Sequence, residues 1–197
     1  MRSSSAAAVL ALFFFSQALT GAPADPPAQA PAAASKAAAP VPEALRTPEG
    51  VLTELYRLVT FPPGKEADWD AVRVLFLPEA VVVLRTSREA TTVFTLEGFV
   101  ADFVSFAAKP KVRELGFAER IVRMKVTPFR EVAQAWVLYE ASLPGSERPP
   151  QRGVDGFSLV RRDGRWFIAS IVNDVVEEGY TPPPELGETG APSPAGR

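Results

Sequence analysis

Residues 153–173 read Gly153-Val154-Asp155-Gly156-Phe157-Ser158-Leu159-Val160-Arg161-Arg162-Asp163-Gly164-Arg165-Trp166-Phe167-Ile168-Ala169-Ser170-Ile171-Val172-Asn173, two alternating apolar runs joined by Asp163-Gly164. Asp-Gly supplies the two positive φ angles of a type I′ turn, so the stretch predicts a long β-hairpin whose register is counted outward from that turn. Arg162 then faces Arg165, Arg161 faces Trp166, Val160 faces Phe167, Leu159 faces Ile168, Phe157 faces Ser170 and Asp155 faces Val172. Because side chains alternate, one face carries Asp155, Phe157, Leu159, Trp166, Ile168, Ser170 and Val172. The other carries Val154, Gly156, Ser158, Val160, Phe167, Ala169, Ile171 and Asn173. Both are largely apolar, and both are expected to be covered.

Upstream, the pattern alternates over residues 117–126, with Val122, Met124 and Val126 on one face and Glu119, Arg123 and Lys125 on the other. Over residues 132–143, Ala133, Ala135, Val137, Tyr139 and Ala141 share a face opposite Gln134, Trp136, Leu138 and Glu140. These are two more strands. Helical spacing appears earlier. Thr47-Pro48 is a cap and first turn leading into Val51, Leu52, Leu55, Leu58 and Val59. Asp68 caps a shorter helix with Trp69, Val72, Leu75 and Phe76, ended by Pro78. Residues 80–85 and 90–94 are short strands, and Thr95 caps a third helix with Leu96, Phe99, Val100, Phe103, Phe106 and Ala107 in its apolar stripe, closed by Lys109-Pro110. The order is α-α-β-β-α-β-β-β-β, an α+β layout.

The 197 residues, 47% of them apolar, suit one domain once the ends are set aside. Arg2, the apolar residues 6–19 and the small-residue site Ala22-Pro23-Ala24 make residues 1–24 a secretory signal peptide. The apolar run is shorter than the roughly 20 residues of a membrane span. The mature product is expected to be secreted or periplasmic, without stable membrane insertion, and no cysteine is present to take a lipid. Residues 25–46 read as an Ala/Pro-rich linker, 47–178 as the domain, and 179–197 as a disordered Pro/Gly-rich tail.

Zero cysteines excludes disulfides and thiolate chemistry, and zero histidines removes the commonest general base and metal ligand. Any catalysis must therefore use carboxylates, Tyr, Lys, Arg or hydroxyls. Neither a cofactor nor a metal is expected. With a net charge of −2 there is no global pull toward nucleic acid, and Glu114, Glu119 and Glu131 dilute the basic residues between positions 109 and 130.

The Trp69-Asp70 helix, the Phe-rich third helix, the Tyr139-Glu140 strand and Arg152-Gly153-Val154-Asp155 leading to Asp163-Gly164-Arg165-Trp166-Phe167-Ile168 resemble the nuclear transport factor 2-like (NTF2-like) superfamily, nearest its SnoaL-like bacterial members. The resemblance covers roughly residues 48–176. It implies a cone-shaped fold, three N-terminal helices packed against a strongly bent, mostly antiparallel sheet, with an internal pocket and often a dimer through the outer sheet face. Members include isomerases, dehydratases, binders and assembly modules, and fold alone does not choose among them.

In such a cone the inward parity makes Tyr139, Asp155, Phe157, Trp166, Ser170 and, from the third helix, Phe103 the candidate ligand-binding residues, with Asp174 sharing that parity. Arg85 is placed at the mouth, where its planar fork suits a carboxylate; pairing with a nearby acid is the plainer role. If the protein is an enzyme, Asp155 is the proton-transfer base and Tyr139 the donor to an oxyanion. Against this, Asp155 at a sheet edge would simply bond backbone. The dehydratase pattern of the superfamily uses His and is disfavoured; the steroid-isomerase pattern needs a Tyr and two acids, and no second buried acid can be aligned. Trp136 and Leu138, with Phe167, Ala169 and Ile171, are expected to form an apolar outer patch covered by a homodimer, or else by a neighbouring loop or terminal segment. The first functional expectation is a binder of a small apolar or amphipathic molecule without catalysis. A carboxylate-based isomerase or lyase, and an envelope interaction module, are the alternatives.

Overall fold

The computed structural model describes residues 40–85, 89–177 and 179–187. The signal segment 1–24, most of the linker 25–46 and residues 188–197 of the tail lie outside the described residues. Two helices precede the sheet: α1 (Pro48–Val59), whose cap Thr47 accepts a hydrogen bond from the Gly50 amide at 3.0 Å, and α2 (Trp69–Arg73), capped by Asp68 onto the Ala71 amide at 3.0 Å. Strands β1 (Phe76–Arg85) and β2 (Thr91–Thr95) follow. Thr95 then caps α3 (Leu96–Ala107), accepting from the Gly98 amide at 3.1 Å. Strands β3 (Ala118–Phe129), β4 (Val132–Ser142), β5 (Gln151–Arg162) and β6 (Arg165–Val175) complete the sheet.

The six strands lie in the order β2-β1-β6-β5-β4-β3, antiparallel at every junction except β1 with β6, which is parallel. This is an α+β fold on a mixed sheet. Asp163 and Gly164 sit at φ +52° and +78°, as a type I′ reversal requires. One core joins α1, α3 and the inner sheet face through Leu52, Phe99, Val100, Val82, Val137, Phe157 and Ile168.

Three local readings change. Lys109-Pro110 does not only end α3: Pro110, with no amide to satisfy, opens a short helix α4 (Pro110–Leu115). The second helix stops at Arg73, and β1 begins at Phe76, so Pro78 sits within a strand whose register against β6 breaks between Phe76 and Val81. The linker gains structure before residue 47, since Glu43–Arg46 is a 3-10 helix with Leu45 buried in the core.

Two bulges matter more, because one unmatched residue transposes the faces of everything beyond it. The hairpin keeps its expected pairing as far as Leu159 with Ile168, then Ser158 pairs with Ser170, leaving Ala169 unmatched. Beyond it Phe157 faces Ile171 and Asp155 faces Asn173. Ile171 is therefore buried and Val172 is 48% exposed, the reverse of the simple count. In β3, Ile121 pairs with Tyr139 but Arg123 pairs with Leu138, so Val122 is the extra residue. Ile121, Met124 and Val126 all pack on the core, and Glu119 shares the face of Ile121 rather than that of Arg123 and Lys125.

The segment expected to be disordered from residue 179 has structure through Gly187. Pro184–Leu186 is a 3-10 helix packed against β3 and β4, with Leu186 buried. Among the described residues no helix is long and apolar enough to cross a membrane.

Gly116 sets the entry to β3. Its φ of +76° with ψ of −174° is a conformation open only to glycine, and a Cβ there would stand 2.6 Å from the Phe61 carbonyl oxygen. Phe61 and Phe117 exchange backbone hydrogen bonds of 2.9 Å across that point. Gly116→Ala is expected to lower unfolding free energy by about 1–3 kcal/mol, measured by urea denaturation; an unchanged midpoint would show that the chain relaxes freely here.

Candidate functional site

Between α1, α3 and the inner sheet face lies a cavity of about 450 Å³, within the range of small-molecule sites. Its wall is apolar: Leu55, Val59, Leu84, Ile171 and the phenylalanines 99, 103, 106 and 117. Phe103 holds this wall together, with ring centroids 5.2 Å from Trp69, 5.8 Å from Phe99, 5.6 Å from Phe106 and 5.5 Å from Phe117. Exposed Asp102, Ser105, Lys109 and Gln151 mark the mouth.

Buried polar groups gather on one side. The Tyr56 hydroxyl donates to Asp155 Oδ2 at 2.5 Å, and Asn173 Nδ2 donates to Asp155 Oδ1 at 2.7 Å and to the Tyr139 hydroxyl oxygen at 2.9 Å. Asn173 thereby fixes the polarity of the cluster. Because Tyr139 accepts from the amide, its own proton points elsewhere and can be given to a ligand. Space for that hydroxyl comes from Gly153, the cross-strand partner of Tyr139: a Cβ there would lie 2.2 Å from the phenolic oxygen.

Glu119 lines the same cavity from β3. Its neighbours on the cavity wall are mainly apolar, and none of the hydrogen bonds or ion pairs among the described residues engages its carboxyl. Burial, then the charge of Asp155, push it from 4.5 up to about 8. Burial also raises Asp155 from 3.8 to about 6, against the lowering effect of its hydrogen bonds from Tyr56 and Asn173. Both tyrosines are pushed up, by burial first and then by the carboxylates. At neutral pH the cavity thus presents an ionised Asp155, a protonated Glu119 and protonated tyrosines: one base and several donors in a pocket whose wall is largely apolar and whose mouth opens to solvent.

Of the residues expected from sequence, Asp155, Tyr139, Phe103 and Arg85 line this cavity. Phe157 and Trp166 do not; both are core packing, 1% and 5% exposed. Ser170 faces away, because the Ala169 bulge exchanges it for Ile171. Asp174 points outward and pairs with Arg85 at 3.1 Å, the plainer of the two roles weighed for that arginine. Sequence reasoning missed three members. Tyr56 lies four residues after Leu52 and three before Val59, within the α1 stripe, so its inward position was readable. Glu119 and Asn173 were assigned to the wrong faces by the two bulges.

No family model matches the chain, and no curated protein is similar to it in sequence. Solved structures do match. An NTF2-like protein of unknown function from Pseudomonas putida aligns at TM-score 0.50 and 11% identity, over 62% of this chain and 80% of that one. The chain has the NTF2-like fold. A protein of unknown function with a cystatin-like fold from Nostoc punctiforme aligns at TM-score 0.51 and 7% identity, over 65% of this chain and 87% of the other. At such identities the NTF2-like likeness establishes the fold and transfers no residue roles. Among the described residues no group of three or more acids is placed to hold a metal.

The raised carboxyls have a consequence for stability. An acid whose folded pKa exceeds its unfolded value holds its proton more tightly when folded, so stability falls as pH rises between the two values. For Asp155 that window runs from 3.8 to about 6, and for Glu119 from 4.5 to about 8. Glu119→Gln should therefore raise the urea midpoint at pH 8 and flatten the decline below it. A lowered midpoint would mean that the ionised carboxyl is stabilised after all.

Proposed function

We propose that the cavity is a proton-transfer site for a small, largely apolar carbonyl compound, giving isomerisation without a redox change. The reading rests on one observation: the unengaged carboxyl of Glu119 and the uncommitted proton of Tyr139 border the same apolar cavity as the ionisable Asp155. Asp155 accepts a proton from the carbon beside the ligand's carbonyl. The electron pair of that C–H bond moves onto the carbonyl oxygen, where the Tyr139 hydroxyl and the protonated Glu119 donate to the developing oxyanion. Return of the proton from Asp155 to a conjugated carbon gives the isomer, so no co-reactant is needed. Asn173 and Tyr56 are positioning residues, holding the carboxylate and turning the Tyr139 proton toward the ligand. The sheet closing as a cone around the pocket, and a signal segment at residues 1–24 that carries the chain out of the cytoplasm, belong to the same proposal.

Binding without turnover is the second reading, favoured by the fact that both Asp155 oxygens already accept a hydrogen bond. Carboxylate oxygens retain further lone pairs, which leaves the first reading chemically intact. The two readings separate in deuterated water, by NMR, with a β,γ-unsaturated cyclic ketone as probe. Proton transfer predicts exchange and isomerisation with a bell-shaped pH profile, rising as Asp155 ionises near 6 and falling as Glu119 loses its proton near 8. Asp155→Asn should lower the rate by about a hundredfold to ten-thousandfold. Tyr139→Phe should lower it by about a hundredfold or more. Saturable ketone binding with no exchange in the wild type selects the binding reading.

A further inference from the structure

The outer face of the sheet carries an apolar row at right angles to the strands. Trp136 pairs with Gly156, Gly156 with Val172, Val172 with Val83, and Val83 with Val93. The Trp136 ring lies beside Gly156, where a Cβ would stand 3.1 Å from the indole and 2.9 Å from Val172 Cγ2, so the glycine lets ring and valine meet. Trp136, Val172 and Val93 remain 43%, 48% and 67% exposed. A flat apolar row of this kind closes on itself about a two-fold axis and fits a second copy of the chain.

That face is not empty at its other end. Leu138 points outward like Trp136, yet it is 3% exposed, and Leu186 is 1% exposed. Both stand outside the two interior clusters. The 3-10 helix carrying Leu186 packs on β3 and on β4, the strand that carries Leu138. Before it, residues 180–183 run alongside Trp136, Val154 and Val172, leaving a groove of about 360 Å³ between them. The path is stiffened by Pro182-Pro183-Pro184 and tied at its start by the Val176 amide donating to the Arg152 carbonyl at 2.9 Å.

We infer that residues 180–186 are an intramolecular strap, anchored by Leu186, that occupies the outer sheet face and keeps a second copy of the chain from docking there. Sheet faces pack about 10 Å apart with their side chains interdigitated. A backbone segment lying across either face holds two copies beyond that distance. Releasing the strap uncovers Leu138 and joins it to the Trp136 row, making one continuous self-complementary surface. The outer face is thus closed by the chain itself, and self-association is conditional on the strap.

Sedimentation velocity over a hundredfold range of concentration tests this on four proteins: the full chain, a chain ending at Gly187, a chain ending at Gly179, and full-length Leu186→Asp. The first two should sediment as single chains. The last two should self-associate at least about tenfold more tightly, and Trp136→Glu in the chain ending at Gly179 should return it to a single chain. A full chain that is already dimeric overturns the inference. So do folded strap variants, checked by circular dichroism, that remain single. If neither variant folds, hydroxyl-radical labelling of the unaltered chain decides: Leu186 protected relative to Val93 supports the strap, and equal labelling overturns it.

Discussion

Ala169 has no partner across from it in β5, and the site depends on that one unmatched residue. It lets Trp166 and Ile168 pack inward at one end of β6 while Ile171 and Asn173 turn inward at the other. Without it Asn173 would face solvent, and Asp155 and Tyr139 would lose their common donor. The bulge at Val122 plays the same part in β3, allowing Glu119 to share the interior with Met124 and Val126 although the residue count separates them. Bulges commonly re-aim side chains beside functional sites; here two of them deliver one carboxyl and one amide into the same cavity.

Bringing these groups together has an electrostatic effect. Two carboxyls in one largely apolar pocket cannot both ionise cheaply, so the site divides them. Asp155, with donors from Tyr56 and Asn173, keeps its charge to lower pH, and Glu119, with none, stays protonated beyond neutrality. The division leaves one carboxyl ionised and the other protonated at neutral pH without any histidine, which the chain lacks entirely. The same arrangement costs folding stability at neutral pH, because both carboxyls hold their protons more tightly folded than unfolded.

The inner and outer faces share their framework. Asn173 borders both the cavity and the groove beneath the C-terminal segment, and Arg85, at the cavity's edge, pairs with Asp174 and lies 3.9 Å from Glu177 on the way to that segment. Strand β6 therefore borders the polar cavity on one face and the groove beneath the C-terminal segment on the other. On the outer face of this sheet the C-terminal 3-10 helix covers part of an otherwise apolar surface.

Composition and periodicity by themselves determined α1, α3 and the start of α2, their Thr47, Thr95 and Asp68 caps, the Asp163-Gly164 reversal and the order of the strands, because each depends on contacts a few residues apart. They also placed Tyr139, Asp155 and Phe103 on the inward side. Glu119 and Asn173 were illegible because strand parity assumes unbroken pairing, and both faces of the hairpin are apolar enough to hide the break. The only trace is a three-residue step, Ile121 to Met124 and Ile168 to Ile171, where an unbroken strand steps by two. Which residue is left unpaired, and whether a proline-rich tail lies down on the sheet, was decided by tertiary packing: both outcomes are set by partners far away in sequence, whose positions exist only once the sheet has formed.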